Sequence, residues 1–353
     1  MKTRIIRRRD LLASAAAVTA NLSVAQQRLE KTVKIAFLGV SHSHGDGKVS
    51  IVRANPAFEL AGIWEANAKL AAKYSAAGVK LLSRDEILND QSIQAVAVES
   101  EVWNHCEHAR LALEAGKHVH VEKPPADNLK DFVQLQSIAA AKKRIIQVGY
   151  MWRYNPGVVK ILEAVKNGWL GDVFLLRAMM NTQVGAEPRS EWAKFKGGDM
   201  FEQGSHLIDF MVRVMGKPSK VISVLRKDGR AHKDTLVDNT AAILEWPSAM
   251  GVLTATALQP AARIHRFMEV QGTNGTAVLR PIEDPVLALD LVKAAGPYSA
   301  GAQRVPLEVY RRYQGDFEEL ADCILKGKSQ LPAITPEQDL AVQETLLRAS
   351  QML

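Results

Sequence analysis

The chain has 353 residues, of which 47% are hydrophobic and 24% are charged. This length predicts about two domains, and the composition excludes a disordered, collagen-like or coiled-coil protein. Lys and Arg number 45 against 38 Asp and Glu, so the net charge is +7. Residues 1–25 hold five cations and one anion. The rest of the chain therefore keeps only about +3, too little to indicate a nucleic-acid-binding protein.

The first 25 residues have the order of a cleaved export signal: a basic head, an apolar stretch over residues 11–20, and the small-residue site SVA at 23–25. The segment RRDLL at 8–12 resembles a twin-arginine export signal. A membrane anchor or a disordered basic tail is the alternative, but a span needs about 20 apolar residues. We therefore expect a periplasmic or otherwise exported protein that keeps no stable membrane span after cleavage.

Short apolar runs alternate with helical segments from residue 33 onward. The runs cover residues 33–38, 60–64, 95–98, 118–121 and 145–148. Strands that alternate with helices in this way predict βαβ units and a parallel, doubly wound sheet. We expect a Rossmann-type α/β domain, suited to a dinucleotide, over residues 32–150.

The pattern changes after residue 150 to helices mixed with several consecutive β-type runs. The predicted strands cover residues 173–179, 220–225, 240–246, 251–257, 267–272 and 276–279, and the predicted helices 158–166, 206–215, 316–325 and 336–351. The pair Asn274-Gly275 between two strands is a strong hairpin signal. We expect residues 151–353 to form a C-terminal α+β domain with a large, mainly antiparallel open sheet. The open face of this sheet predicts a homo-oligomer.

The first predicted strand ends in GVSHSHG, residues 39–45. A dinucleotide fingerprint would read G-x-G-x-x-G here, but only Gly39 is in place. We expect the loop to bind pyrophosphate through its N–H groups, with Ser41, His42 and Ser43 adding hydrogen bonds. Glu65 ends the second strand, where a carboxylate binds a ribose 2′-OH and favours NAD over NADP. The alternative is that Glu65 only caps the following helix.

Four segments resemble the Gfo/Idh/MocA oxidoreductases, the glucose–fructose oxidoreductase and inositol dehydrogenase family. Residues 115–124, AGKHVHVEKP, resemble A-G-K-H-V-x-x-E-K-P, and residues 105–116 fit the family's preceding helix. Residues 149–156, GYMWRYNP, and 197–209, GGDMFEQGSHLID, resemble G-[FY]-x-x-R-x-x-P and G-G-x-x-x-D-x-G-x-H-x-x-D. The chain departs from the family at Ser100-Glu101, where Thr-Pro is usual, and at Glu202, where Asp is usual.

The residues in these motifs suit redox chemistry on an alcohol. Lys123 follows a strand and precedes a proline, so it should project at the carboxyl edge of the sheet, where ligands bind. Glu202, His206 and Asp209 are spaced to share one helix face. A histidine beside a carboxylate can take the proton of an alcohol while hydride leaves its carbon. An alternative for Glu202 is a capping box with Asp199.

The resemblance implies three sets of site residues. The catalytic set is Lys123, His206 and Glu202, and the substrate-binding set is Arg153, Tyr154 and Asp209. The cofactor-binding set is Gly39, Ser41, His42, Ser43, Glu65, Ser100, Glu122 and Lys123.

We expect no metal site. His42 and His44 with His105 or His108 are a possible ligand set, but no carboxylate or cysteine completes it at ligand spacing. The two cysteines, Cys106 and Cys323, lack a metal-ligand partner at a recognisable spacing, and we expect ordinary buried thiols.

The function predicted by the residues and the resemblance is that of an exported oxidoreductase with tightly bound NAD, NADP being less expected. It would move hydride between this nicotinamide and a hydroxyl-bearing carbon of a sugar, glycoside or polyol. Two alternatives stay open: a redox-assisted glycoside hydrolase or lyase, and a non-enzymatic sugar-binding protein with a degraded cofactor loop.

Overall fold

A computed structural model describes residues 32–353. The predicted export signal, residues 1–25, lies outside the described residues. Two β-sheets organise the described chain, one with five strands and one with eight. Among the described residues, none of the helices has the length and apolar character needed to cross a membrane.

The first sheet is parallel throughout. Its strands are β1 Val33–Leu38, β2 Phe58–Trp64, β3 Ala95–Val98, β4 His118–Val121 and β5 Ile146–Val148. Their order in space is β2-β1-β3-β4-β5. Every residue of β3 is buried, as expected for a parallel strand covered on both faces. The predicted doubly wound Rossmann-type sheet is confirmed.

Five α-helices connect these strands: α1 Gly45–Ala54, α2 Ala68–Ala76, α3 Arg84–Asn89, α4 His105–Glu114 and α5 Leu129–Lys142. Local sequence sets several of their starts. The side chains of Asn67 and Asn128 accept backbone N–H groups at the first turns of α2 and α5, and Ser83 with Glu86 forms a capping box on α3. These caps satisfy donors that a helix start leaves unpaired.

The second sheet has eight strands and is antiparallel except for one pair. The strands are β6 Val173–Asn181, β7 Lys220–Arg226, β8 Asn239–Trp246, β9 Ala249–Thr256, β10 Phe267–Gly272, β11 Gly275–Leu279, β12 Leu287–Leu291 and β13 Gly301–Val305. Their order is β13-β12-β11-β10-β6-β9-β8-β7, with β6 and β9 parallel. The predicted large, mainly antiparallel sheet is confirmed.

The strands β12 and β13 were not predicted, because their sequences carry weak β-signals. β12 reads LALDL and contains no β-branched or aromatic residue. β13 reads GAQRV at the sheet edge and buries only its last residue. The hairpin between β10 and β11 is present, with Gly272 opposite Gly275. Its two-residue turn is therefore Thr273-Asn274, one position before the Asn-Gly pair.

The helices of the second half are α6 Pro156–Lys166, α7 Ala186–Trp192, α8 Ser205–Met215, α9 Gln314–Leu325 and α10 Pro336–Ala349. Of these, α7 was not predicted. Helix α9 returns to the first sheet, where the Phe317 ring lies 4.8 Å from the His120 ring and 5.8 Å from the Phe58 ring, between centroids. The end of the chain therefore packs against the first sheet and helps to hold the two halves together.

Candidate active site

The loop after β1 lies where the strand order reverses, because β1 pairs with β2 on one side and β3 on the other. Ligands of doubly wound sheets bind in the crevice at such a point. Gly39 opens the loop with φ +78°, and a Cβ there would lie 2.5 Å from Cβ of Ser100. The N–H of His42 donates to the carbonyl oxygen of Glu99 at 2.9 Å. The loop therefore crosses closely over the end of β3.

Polar groups of this loop are available to a phosphate. The N–H groups of Ser41 and Ser43 donate to no protein acceptor within residues 32–353, and Oγ of Ser41 is buried without a hydrogen-bond partner there. The Glu65 carboxylate accepts the N–H groups of Val40 and Asn67, each at 2.8 Å. Glu65 therefore both anchors the loop and supports the start of α2. The residues present fit a dinucleotide, since free N–H groups and a hydroxyl suit phosphate oxygens.

Replacing Gly39 with alanine should weaken dinucleotide binding and lower stability, because alanine is strained at positive φ and its Cβ would meet the backbone of Ser100. Gly78 is a matched control: its φ is +75°, but a Cβ there meets no described atom within 4 Å. Urea unfolding should show a loss of roughly 1–2 kcal/mol for Gly78→Ala, the cost of the backbone strain alone, and a larger loss for Gly39→Ala. Equal losses would contradict the close approach to Ser100.

A buried group of charges lies beneath the loop. The Lys48 ammonium donates to Glu99 at 2.7 Å and to Glu122, and all three side chains are buried. Burial disfavours the charge of Lys48, but Glu122 and Glu99 outweigh this effect and raise its pKa. Burial raises the pKa of Glu99 to about 7. Lys48 is not among the predicted site residues, although its spacing with the buried residues Gly45, Val49 and Val52 of α1 places it on the buried face.

Lys123 projects from the carboxyl end of β4, as predicted, and joins the two halves of the molecule. Its buried ammonium donates to the Glu202 carboxylate and, at 3.3 Å, to the Glu202 carbonyl oxygen. Nε2 of His42 lies 3.5 Å from Oε1 of Glu202. Burial opposes ionisation of Glu202, but Lys123 and His42 outweigh it and lower its pKa to about 2. The Glu202 carboxylate is therefore ionised near neutral pH.

The alternative of a capping box at Asp199 and Glu202 is wrong. Residues Met200–Gly204 form a π-helical turn before α8, and the Asp199 side chain caps no N–H group. Both carboxylate oxygens of Asp199 are buried without a hydrogen-bond partner within the described chain, and burial raises its pKa well above the usual range. This turn is wider than a turn of an α-helix, and the Glu202 side chain within it contacts Lys123.

His206 lies in α8 as a buried imidazole surrounded by rings. Its ring centroid is 5.0 Å from that of Trp152, 5.9 Å from Tyr150 and 6.5 Å from His44. Its Nδ1 has no hydrogen-bond partner among residues 32–353. Burial, and then the charge of Lys123, lower the pKa of His206 well below 6.5. The imidazole is therefore neutral near pH 7, with no proton on one of its two ring nitrogens.

The residues predicted to bind the substrate form hydrogen bonds with side chains of other helices. The Arg153 guanidinium donates to Asp209 at 2.7 Å and 3.0 Å and to Asp339 at 2.6 Å. The Tyr154 hydroxyl donates to Glu319 at 2.5 Å. Asp209 therefore faces Arg153 rather than the Lys123–Glu202 pair. The substrate role of Arg153, Tyr154 and Asp209 stays a prediction.

Two known family models match consecutive parts of this chain. Residues 33–150 match the oxidoreductase family model with an NAD-binding Rossmann fold, and residues 158–278 match the GFO/IDH/MocA C-terminal domain. The chain belongs to the Gfo/Idh/MocA oxidoreductase family. The family membership and the enzyme class predicted from the motifs are confirmed.

Several known dehydrogenases resemble this chain over half of its length or more. A trans-1,2-dihydrobenzene-1,2-diol dehydrogenase of Sus scrofa is 24% identical over 72% of this chain and 75% of its own length. A scyllo-inositol 2-dehydrogenase (NADP(+)) of Bacillus subtilis is 27% identical over 50% of this chain and 49% of its own length. A levoglucosan dehydrogenase structure, in complex with NADH and levoglucosan, superposes with a TM-score of 0.76 at 20% identity, over 91% of this chain and 97% of its own.

The structure shows the surroundings of two places where this Gfo/Idh/MocA chain departs from the usual family sequence. Ser100 is buried, and its hydroxyl bonds with Nδ1 of His108 at 3.0 Å. The side chains of His42 and His44 lie over the end of β4, beside Glu202 and Glu122. Ser41 and His44 stand where the fingerprint has its second and third glycines, so one of these two places is taken by an imidazole.

Proposed function

We propose that this protein is an NAD-dependent oxidoreductase that acts on a hydroxyl group of a sugar, glycoside or polyol. One observation carries the proposal: the Lys123–Glu202 ion pair and the neutral His206 meet in a buried junction at the carboxyl edge of the Rossmann-type sheet. The inositol and levoglucosan dehydrogenases among its relatives support this substrate class.

A bound nicotinamide would accept hydride from the substrate carbon, and the chain's own residues handle the proton. His206 would take the hydroxyl proton, since its imidazole is neutral and Nδ1 has no partner among the described residues. The Lys123 ammonium would stabilise the negative charge that develops on the substrate oxygen. Glu202 holds this ammonium in place through a direct hydrogen bond.

The preference for NAD over NADP rests on Glu65. Its carboxylate lies at the end of β2, fixed by two backbone N–H groups, and would repel a 2′-phosphate while accepting a ribose hydroxyl. Titration of the purified protein with both dinucleotides tests this preference. Tighter binding of NADP would contradict it.

The mature protein should be purified, denatured and analysed for released nicotinamide, and then assayed with a panel of sugars and polyols. We expect bound NAD(H) and net oxidation or reduction of one substrate class. A protein that neither retains nor binds NAD(H) would refute the proposal. Product analysis with a glycoside distinguishes net oxidation from cleavage of the glycosidic bond.

The activity should show no titration of His206 near the usual pKa of histidine, because the pKa of His206 lies well below 6.5. The base form of His206 then persists as the pH is lowered. We expect kcat to have no acid limb that depends on His206 between about pH 8 and pH 6. An acid limb near pH 6.5 that disappears in His206→Asn would show an ordinary imidazole and contradict this prediction.

We also propose export by the twin-arginine route, with the cofactor loaded before export. Residues 8–12 and the small-residue site ending at Ala25 support this proposal. Because free NAD is scarce outside the cytoplasm, the cofactor must be tightly held and recycled. Cell fractionation tests the route: a variant with Arg8→Lys and Arg9→Lys should stay in the cytoplasm, and unchanged export would refute it.

We propose a homo-oligomer formed through the open face of the eight-stranded sheet. Ile222, Val224 and Met250 are exposed on β7 and β9, and Ile222 lies opposite Ile243 in the register. An apolar face of this kind marks an interaction surface. Light scattering should show more than one chain per particle in the wild type, and monomers for Ile222→Glu with Val224→Glu.

A further inference from the structure

Two histidines of the loop after β1 and one distant carboxylate form a compact cluster. One ligand atom from each of His42, His44 and Glu122 lies within 4.8 Å of the other two. Nδ1 of His44 and Oε1 of Glu122 are 3.2 Å apart. The sequence offered no carboxylate at ligand spacing because Glu122 comes from the end of β4, well separated along the chain.

Two of the three ligand groups of this cluster keep an unpaired atom within the described chain, whereas the ring nitrogens of His42 face the His44 N–H and the Glu202 carboxylate. Nδ1 of His44 and Oε1 of Glu122 are both buried, and neither has a hydrogen bond within residues 32–353. Lys48 binds the other carboxylate oxygen, Oε2, so Glu122 is held in place with Oε1 free. A buried carboxylate oxygen without a donor is costly unless a cation or hydrogen-bond donor satisfies it.

His105 shows what a histidine with a purely structural role looks like in the same region. Its Nδ1 bonds with the Pro124 carbonyl oxygen and its Nε2 with the Ser100 carbonyl oxygen, each at 2.9 Å. Both ring nitrogens are therefore satisfied by the backbone. His44 differs because its Nδ1 faces the free oxygen of Glu122.

Acidic and basic side chains surround the cluster. The buried side chains of Glu99, Glu122 and Glu202 face two ammonium groups, those of Lys48 and Lys123. Glu202 also lies 3.5 Å from Nε2 of His42. A carboxylate beside an imidazole is the usual arrangement around metal-binding histidines.

We propose that His42, His44 and Glu122 bind a divalent transition-metal ion, for which Zn²⁺ is the best match. Two imidazoles and one carboxylate form a common catalytic zinc set, which leaves a further position for an oxygen ligand, either water or a substrate hydroxyl. Zinc bonds to N and O of about 2.0–2.1 Å bring ligand atoms to roughly 3.4 Å of one another. The His44–Glu122 pair already has nearly this spacing, and one ring nitrogen of His42 would exchange its present contact for the metal.

This site shares His42 and Glu122 with the predicted cofactor-binding set, but the side chains bind the metal without a dinucleotide. The test uses the mature protein after treatment with a chelator and its removal, with ZnCl₂ and CoCl₂ as probes. Calorimetry should show one Zn²⁺ per chain, and X-ray absorption of the zinc-loaded protein should show two imidazole ligands. Absence of stoichiometric binding, or a zinc site without imidazole, would overturn the inference.

Variants locate the site. His44→Gln and His42→Gln should each weaken Zn²⁺ binding by at least tenfold and change the visible spectrum of bound Co²⁺, whereas the exposed His232→Gln is a matched control that should bind like the wild type. Unchanged binding in both loop variants would refute the assignment. If either variant fails to fold by circular dichroism, the X-ray absorption result on the wild type decides.

A parallel NAD titration separates the two proposals. Zinc binding without NAD binding would refute the nicotinamide function and leave the metal site intact. NAD binding without zinc binding would refute the metal site alone.

Discussion

Lys123→Ala should lower kcat by about 10²–10³-fold, the usual contribution of a group that stabilises developing negative charge in the transition state. Lys123 is buried where the two halves of the molecule meet, and its ammonium contacts Glu202. The affinity for the sugar should change little, since the proposed role of Lys123 is in the transition state. Steady-state kinetics and calorimetric titration with substrate measure the two effects separately.

The same substitution leaves the Glu202 charge buried without its partner, at a cost of roughly 3–5 kcal/mol in unfolding free energy. The double variant Lys123→Ala with Glu202→Gln should regain most of this stability but none of the activity. Lys117 is a matched control, because it is equally buried next to the other end of β4 and donates to the Asp90 carbonyl oxygen at 2.7 Å. A similar fall in kcat for Lys117→Met would show a general effect of losing a buried lysine.

Arg153→Met should be strongly destabilising, with a loss of roughly 3–5 kcal/mol in unfolding free energy. The guanidinium is buried and donates to both Asp209 and Asp339. Without it, two buried carboxylates would face each other with no cation between them. Burial already raises the pKa of Asp339 above its usual value, even beside Arg153. Urea unfolding measures the loss.

Arg110 is a control because it forms the same kind of ion pairs at the solvent-exposed surface. It also binds two carboxylates, Glu107 and Glu114, but on an exposed helix surface, so Arg110→Met should cost about 0–1 kcal/mol. Asp209→Asn with Asp339→Asn should restore much of the stability of Arg153→Met. A folded, stable Arg153→Met protein with only a raised KM would instead support the substrate role predicted from the motif.

Most of the fold follows from local patterns in the sequence. The run AVAV at residues 95–98 is apolar throughout because β3 is covered on both faces. Strand β12 was not predicted because Leu and Ala have no strong preference for β-strands. It exists because it pairs with β11 and β13 in the completed sheet.

The sequence by itself determined the two-domain architecture, the position of Lys123 at a strand end and the family. These features depend on the spacing of residues within one element, which the chain's hydrophobic pattern and motifs record. Only the tertiary structure showed that Glu122 meets both Lys48 and His44, and that Arg153 binds Asp339 on the last helix. Such contacts depend on how distant elements pack, and no local spacing encodes the distance between them.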